Sequence, residues 1–186
     1  MKPQKFSSLV GGSEWVPYRY GDSWDIEETT GPQRLVIGPS GGCVDLLTRL
    51  TRVLPEPFGI LYVLLVSRTG NRPGRYQCPY PCSRNEMESF LLEFSEYFET
   101  DGRHHVWVTS LPESSTLVYD QHNVIYGYGP LEKFTEILEE RGLLKGTVTF
   151  PVPHRHNYNA ENDDAEERLF QHWAWSGSPL LPNDDL

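Results

Sequence analysis

Hydrophobic and polar positions along this chain switch between a period of two and a period near 3.6, and the switches mark its elements. The longest apolar run, FGILYVLLV from Phe58 to Val66, is strand length, and its apolar character predicts a strand buried on both faces at the centre of a sheet. Before it, Arg34 to Ile37 reads as a short strand. Cys43 to Val53 then places Val44, Leu47, Leu50 and Leu54 on one helical face before Pro55 and Pro57 end the helix. After it, the turn TGNRPG and the run Arg75 to Cys78 predict a hairpin. Ser83-x-x-Glu86 forms a capping box, and Met87, Phe90, Leu91, Phe94 and Phe98 recur at helical spacing, predicting one helix up to Thr100.

Three β-rich runs follow, HVWVTS, STLVYD and NVIYGYG, separated by turn residues and so predicting an antiparallel meander. Gly129-Pro130 opens a helix from Leu131 to Arg141, and Gly142 closes it. Residues 146–152, GTVTFPV, read as a further strand, and NYNAENDDAEERLFQHWAW as a last amphipathic helix with an acidic first turn. The first 32 residues hold Trp15, Tyr18, Tyr20 and Trp24 among Gly11, Gly12 and Pro17. That pattern suits an extended arm lying on the core, in which EWVPYRY can add an edge strand. The order of elements predicts an α+β fold: a mixed, largely antiparallel sheet of about six or seven strands with three or four helices mainly on one face. The 186 residues suit a single domain, with residues 1–32 as the arm, 33–156 as the core and 157–186 as an acidic helix and tail.

Composition narrows the function. Hydrophobic residues make up 38% and aromatics 12% of the chain, enough for a packed core. No run approaches the about 20 apolar residues of a membrane span, and no signal-peptide core is visible. Cys43, Cys78 and Cys82 are too few and too unevenly spaced for a disulfide framework, which points to the cytoplasm. The net charge of −10 is concentrated: residues 1–82 carry +2 and residues 83–186 carry −12. Such a field repels phosphate backbones, disfavouring nucleic acid, and favours a basic protein partner.

The candidate chemistry is sparse. RLVIGPSGGCVDLL, Arg34 to Leu47, begins like a phosphate-binding loop, but Cys43, Val44 and Asp45 stand where glycine, lysine and a hydroxyl would be needed. The turn is therefore a strand-to-helix connection, with anion binding by its amides as a lesser reading. Cys78-Pro-Tyr-Pro-Cys82 has a zinc-like spacing, but only His104 and His105 offer a second pair. Asp120 and His122 fall in a turn, Asp-Gln-His-Asn, where local backbone hydrogen bonding accounts for them. His154 and His156, two apart on an extended segment, would project to the same side, with His172 and Asp163 among the groups able to complete a metal site, and His104, His105 or His122 as further ligands.

The leading expectation is thus a non-enzymatic protein that needs no cofactor. It would present an acidic, aromatic-rich surface, drawn from Trp107, Tyr119, Tyr126, Tyr128, Trp173 and Trp175, to a basic partner, as an immunity-type inhibitor masks a cationic toxin. The alternatives are a metal-dependent hydrolase or metalloprotein built on His154 and His156 with a divalent metal such as zinc, and a domain that binds a small anion.

Overall fold

The computed structural model describes residues 4–184 and divides the strands between two sheets. In chain order the elements are β1 (Phe6–Val10), β2 (Glu14–Pro17), β3 (Ser23–Glu27), β4 (Arg34–Gly38), α1 (Cys43–Thr51), β5 (Phe58–Leu64), β6 (Gly74–Gln77), α2 (Arg84–Glu93), α3 (Ser95–Thr100), β7 (His104–Ser110), β8 (Ser115–Tyr119), β9 (Ile125–Tyr128), α4 (Leu131–Glu140), β10 (Leu144–Lys145), β11 (His154–His156), α5 (Asp163–His172) and β12 (Ser176–Ser178). Nine strands form one sheet in the order β10-β3-β4-β9-β8-β7-β5-β6-β12, and three form another in the order β11-β1-β2. Every pairing is antiparallel except β10 with β3.

The expectation of a single sheet of six or seven strands with three or four helices is therefore corrected to sheets of nine and three strands with five α-helices among the described residues. The extra strands are short and owe their existence to partners. Ser176–Ser178 has no apolar pattern and is strand only because it pairs with β6. The region 146–152 is not a strand: Pro151 and Pro153 lack donors, and Val148 and Phe150 pack as irregular chain. The expected helix up to Thr100 is broken at Phe94 (φ −101°, ψ 13°), although its Ser83–Glu86 capping box forms as read.

Alternation assigns the two faces of the large sheet. Leu35, Ile37, Ile60, Tyr62, Val106, Val108, Leu117, Tyr119 and Ile125 face the helices and build the main core with Leu47, Leu50, Phe90, Phe94, Phe98, Phe134 and Leu169. On the other face, Val36 and Tyr126 meet Phe6, Tyr20 and Val124 in a smaller core beneath the three-stranded sheet. The arm thus gives β1 and β2 to the small sheet, which β11 completes, and β3 to the large one.

A buried ionic network ties the segment after β11 to this frame. Arg103 is fully buried and donates to Asp101 (Nε to Oδ1, 2.8 Å), Glu166 (2.6 Å), Asp163 (3.0 Å) and the Asn159 carbonyl (2.9 Å). Such pairing is what allows a guanidinium in the interior. Next to it, Asn157 N donates to the Lys5 carbonyl (2.9 Å) and Gly102 N to the Asn157 carbonyl (3.0 Å). A Cβ on Gly102 would lie 2.7 Å from the Lys5 carbonyl oxygen and 3.0 Å from the His156 Cβ, so glycine permits the close approach that seats β1 and β11.

Candidate metal centre

Two separate pieces of chain bring three imidazoles together. The first is the turn after β8. There the Asp120 Oδ1 accepts from His122 N (2.8 Å) and Val124 N (2.9 Å), and Asn123 takes a left-handed conformation (φ 61°) while accepting from the Tyr119 hydroxyl (2.6 Å). The local bonding expected of Asp-Gln-His-Asn is present, and it also aims His122 inward. The second piece is β11, where Phe6 pairs with His156 and Ser8 with His154, so both histidines lie on one side of the strand, as the spacing predicts. Ring centroids of His122 lie 5.2 Å from those of His154 and 4.7 Å from those of His156. One ring nitrogen of each histidine falls within 4.8 Å of one from each of the others.

Hydrogen bonds orient two of the three rings. His122 Nδ1 lies 2.8 Å from Asp120 Oδ2, and His154 Nδ1 lies 2.9 Å from the Pro151 carbonyl. A carboxylate and a carbonyl only accept, so both Nδ1 atoms are the donors and Nε2 is the atom each ring turns toward a metal. This is the outer-shell arrangement that metal-binding histidines use. Burial pushes the Asp120 carboxyl up, but the hydrogen bond and charge of His122 and the Val124 amide outweigh it and hold the group below its ordinary value. His156 completes the set: its Nε2 is buried without a hydrogen-bond partner among the described residues. Burial, then the neighbouring His122 and His154, lower its pKa to about 4, so the ring is neutral near pH 7. Phe6 packs edge-on against His122 and His154 at 6.0 and 6.1 Å, and Phe150 against His122 at 5.1 Å, giving the cluster an apolar wall.

The donor set fits a borderline metal. Three imidazole ligands suit zinc and its neighbours better than magnesium or calcium, which take oxygen ligands. Around a tetrahedral zinc the nitrogens would stand about 3.3 Å apart, so the cluster, with nitrogens within 4.8 Å of one another, would tighten on binding the ion. The expectation of a chain without a cofactor is corrected by this cluster, which is positioned to hold a divalent metal.

The other residues singled out in the sequence go elsewhere. Asp163 accepts from Arg103 and Arg68, and His172 sits at the end of α5 against Phe90, Phe94 and Glu93; neither joins the cluster. His104 is fully buried between Tyr62 and Tyr97, and His105 projects to the opposite face of β7. Cys78 and Cys82 are buried free thiols that point at the Tyr80 carbonyl (3.3 and 3.7 Å). In the glycine turn, Ser40 N donates to Asp22 (2.8 Å) and Val44 N to Glu99 (2.8 Å), so carboxylates of the chain itself take the amides an anion would use. Of the aromatics, Tyr119 lies fully in the core, and Trp173 and Trp175 pack on Phe90 at its edge. Trp107, Tyr126 and Tyr128 line a groove on the open face of the large sheet.

No family model, curated protein or solved structure matches this chain. Among the described residues no helix is long and apolar enough to cross a membrane.

Proposed function

We propose that this protein is a metalloprotein that binds one divalent ion of the zinc type through His122, His154 and His156. The observation that carries the reading is the convergence of three imidazoles, two with Nδ1 already committed to Asp120 and to the Pro151 carbonyl. Three protein ligands leave a coordination position for water or substrate, the feature that separates catalytic zinc sites from closed structural ones. A metal there acts as a Lewis acid and lowers the pKa of bound water, the chemistry a hydrolase of this type would use. The partly exposed His154 gives such a position a route to solvent. The reading of an acidic, aromatic surface for a basic protein partner stands second, with no comparable convergence of groups behind it.

The test is elemental analysis of protein purified without added metal, alongside a variant with His154→Ala and His156→Ala. The expected result is near-stoichiometric zinc, cobalt, nickel or copper in the wild type and its loss in the variant. Substoichiometric metal in the wild type, with no uptake of added zinc or cobalt, would remove the reading.

A further inference from the structure

The open face of the nine-stranded sheet carries a groove of about 740 Å³ that none of the three clustered imidazoles lines, although Asp120 borders both. Alternation builds it: His105 and Trp107 project from β7, Thr116 from β8, Tyr126 and Tyr128 from β9, and Arg34 from β4, while their strand neighbours point into the helical core. Asn183 and Asp184 add to the lining from the C-terminal tail.

The charges in this lining are matched within the protein. Arg34 pairs with Glu27 at 2.8 Å and Asp184 pairs with Arg75, while the oxygens of the buried Asp120 are taken by His122 N, His122 Nδ1 and Val124 N. An ionic ligand would have to break one of these pairs to find a counter-charge, whereas a neutral one would not. The remaining polar groups, including the hydroxyls of Ser114 and Thr116 and the amide of Asn183, both donate and accept. The aromatic rings are held in place: the Arg34 guanidinium lies 4.4 Å from the Tyr126 centroid, and that of Arg75 5.2 Å from the Trp107 centroid.

Two nitrogens in the lining are not satisfied. His105 is 6% exposed, and its Nε2 has no hydrogen-bond partner among the described residues; neither has the indole Nε1 of Trp107, two positions along the same face. A buried polar group left this way is destabilising, a cost that a ligand entering beside it can recover once the lining side chains shift. Burial lowers the His105 pKa to about 4, so the ring is neutral, with one donor and one acceptor nitrogen. A hydroxyl can satisfy either, and can accept from the indole N–H as well.

We infer that this groove binds a neutral polyhydroxylated ring, the pyranose of a mono- or oligosaccharide. The C–H face of the sugar packs on the Trp107 and tyrosine rings, and its hydroxyls meet the paired donors and acceptors around them. The inference is independent of the metal reading, so its test uses the full chain after chelator treatment. Tryptophan fluorescence and saturation-transfer NMR are followed during titration with glucose, galactose, mannose, N-acetylglucosamine and their α-1,4 and β-1,4 disaccharides, with adenosine and benzoate as the aromatic and anionic controls. At least one saccharide should bind, and Trp107→Ala should weaken it at least about tenfold. Tyr128→Ala, at a partly exposed position, decides the matter if the first variant does not fold. Absence of saccharide binding up to about 50 mM, binding unchanged in the variants, or binding of adenosine or benzoate without any saccharide would each overturn the inference.

Discussion

Asp120 and His122 are two residues apart, and one carboxylate serves both the fold and the candidate site: its Oδ1 closes the turn after β8 while its Oδ2 holds His122 Nδ1 at 2.8 Å. The same side chain that makes the turn therefore fixes the tautomer of a candidate ligand.

This shared role predicts the behaviour of Asp120→Asn. The amide preserves shape but has a single acceptor oxygen: with that oxygen closing the turn, an NH2 replaces the Oδ2 that accepts from His122 Nδ1, and the charge that raises the basicity of the ring is gone. Zinc affinity should fall by about 10–100-fold, measured by competition with a chromophoric chelator. Far-UV circular dichroism of the metal-free variant should stay close to wild type. An unchanged affinity would show that Asp120 serves the turn alone.

Arg103 gives a prediction about stability. Asp101 and Glu166 are fully buried around it, so Arg103→Ala would leave two carboxylates in the interior without their cation. Breaking such a buried pair costs about 3–5 kcal/mol, to be read from urea denaturation midpoints at constant m value. A loss below about 1 kcal/mol would mean that water replaces the guanidinium and that the network does not anchor the chain following β11.

How much of this was legible in the sequence depends on how local the information is. The capping box at Ser83, the meander from His104 to Tyr128 and the helix from Leu131 follow from nearest-neighbour patterns, and they form as the patterns indicate. The same is true of His154 and His156, which alternation alone places on one side of a strand. His122 was readable only as a turn residue. Its convergence with β11 depends on Phe6 pairing with His156, a contact across most of the chain that no local period encodes. The division into two sheets was hidden for a related reason. Strands β10, β11 and β12 are two or three residues long and are defined by the edge they meet. The buried Arg103 likewise gave no signal, because its partners come from Asp101 and from α5, about sixty residues away.

Acid should weaken the fold in two stages. Burial holds His104 well below, and His105 down to about 4 from, the usual imidazole value of 6.5. Between those values the unfolded chain binds protons that the folded chain refuses, so stability falls as pH drops below 6.5. Glu166 and Asp163 behave as depressed carboxylates: burial raises them, but the hydroxyls of Ser67 and Thr69 with Arg103, and Arg103 with Arg68, respectively, outweigh it. Their contribution is present above the unfolded carboxylate range and is lost as pH falls through their lower folded values. Melting temperatures recorded from pH 8 to pH 3 should decline from about pH 6.5 and fall further below about pH 4. A flat profile between pH 7 and pH 5 would contradict the assignment of neutral buried imidazoles.

Metal binding should itself appear as stability, because the three imidazoles converge only in the folded chain. Free zinc at about a hundred times its Kd would add about 2.7 kcal/mol, and for a domain of this size each kcal/mol raises the melting temperature by about 2–4 °C. Magnesium, which prefers oxygen ligands and sheds water reluctantly, should give no shift at the same concentration. His154 is the informative position for a control: it is partly exposed, so His154→Ala removes a ligand at little expense to packing, whereas a change at Phe6 would disturb the small core and the site together. The variant should melt near the metal-free wild type and gain much less from zinc. An equal zinc shift in wild type and His154→Ala would place the stabilising metal at some other part of the protein.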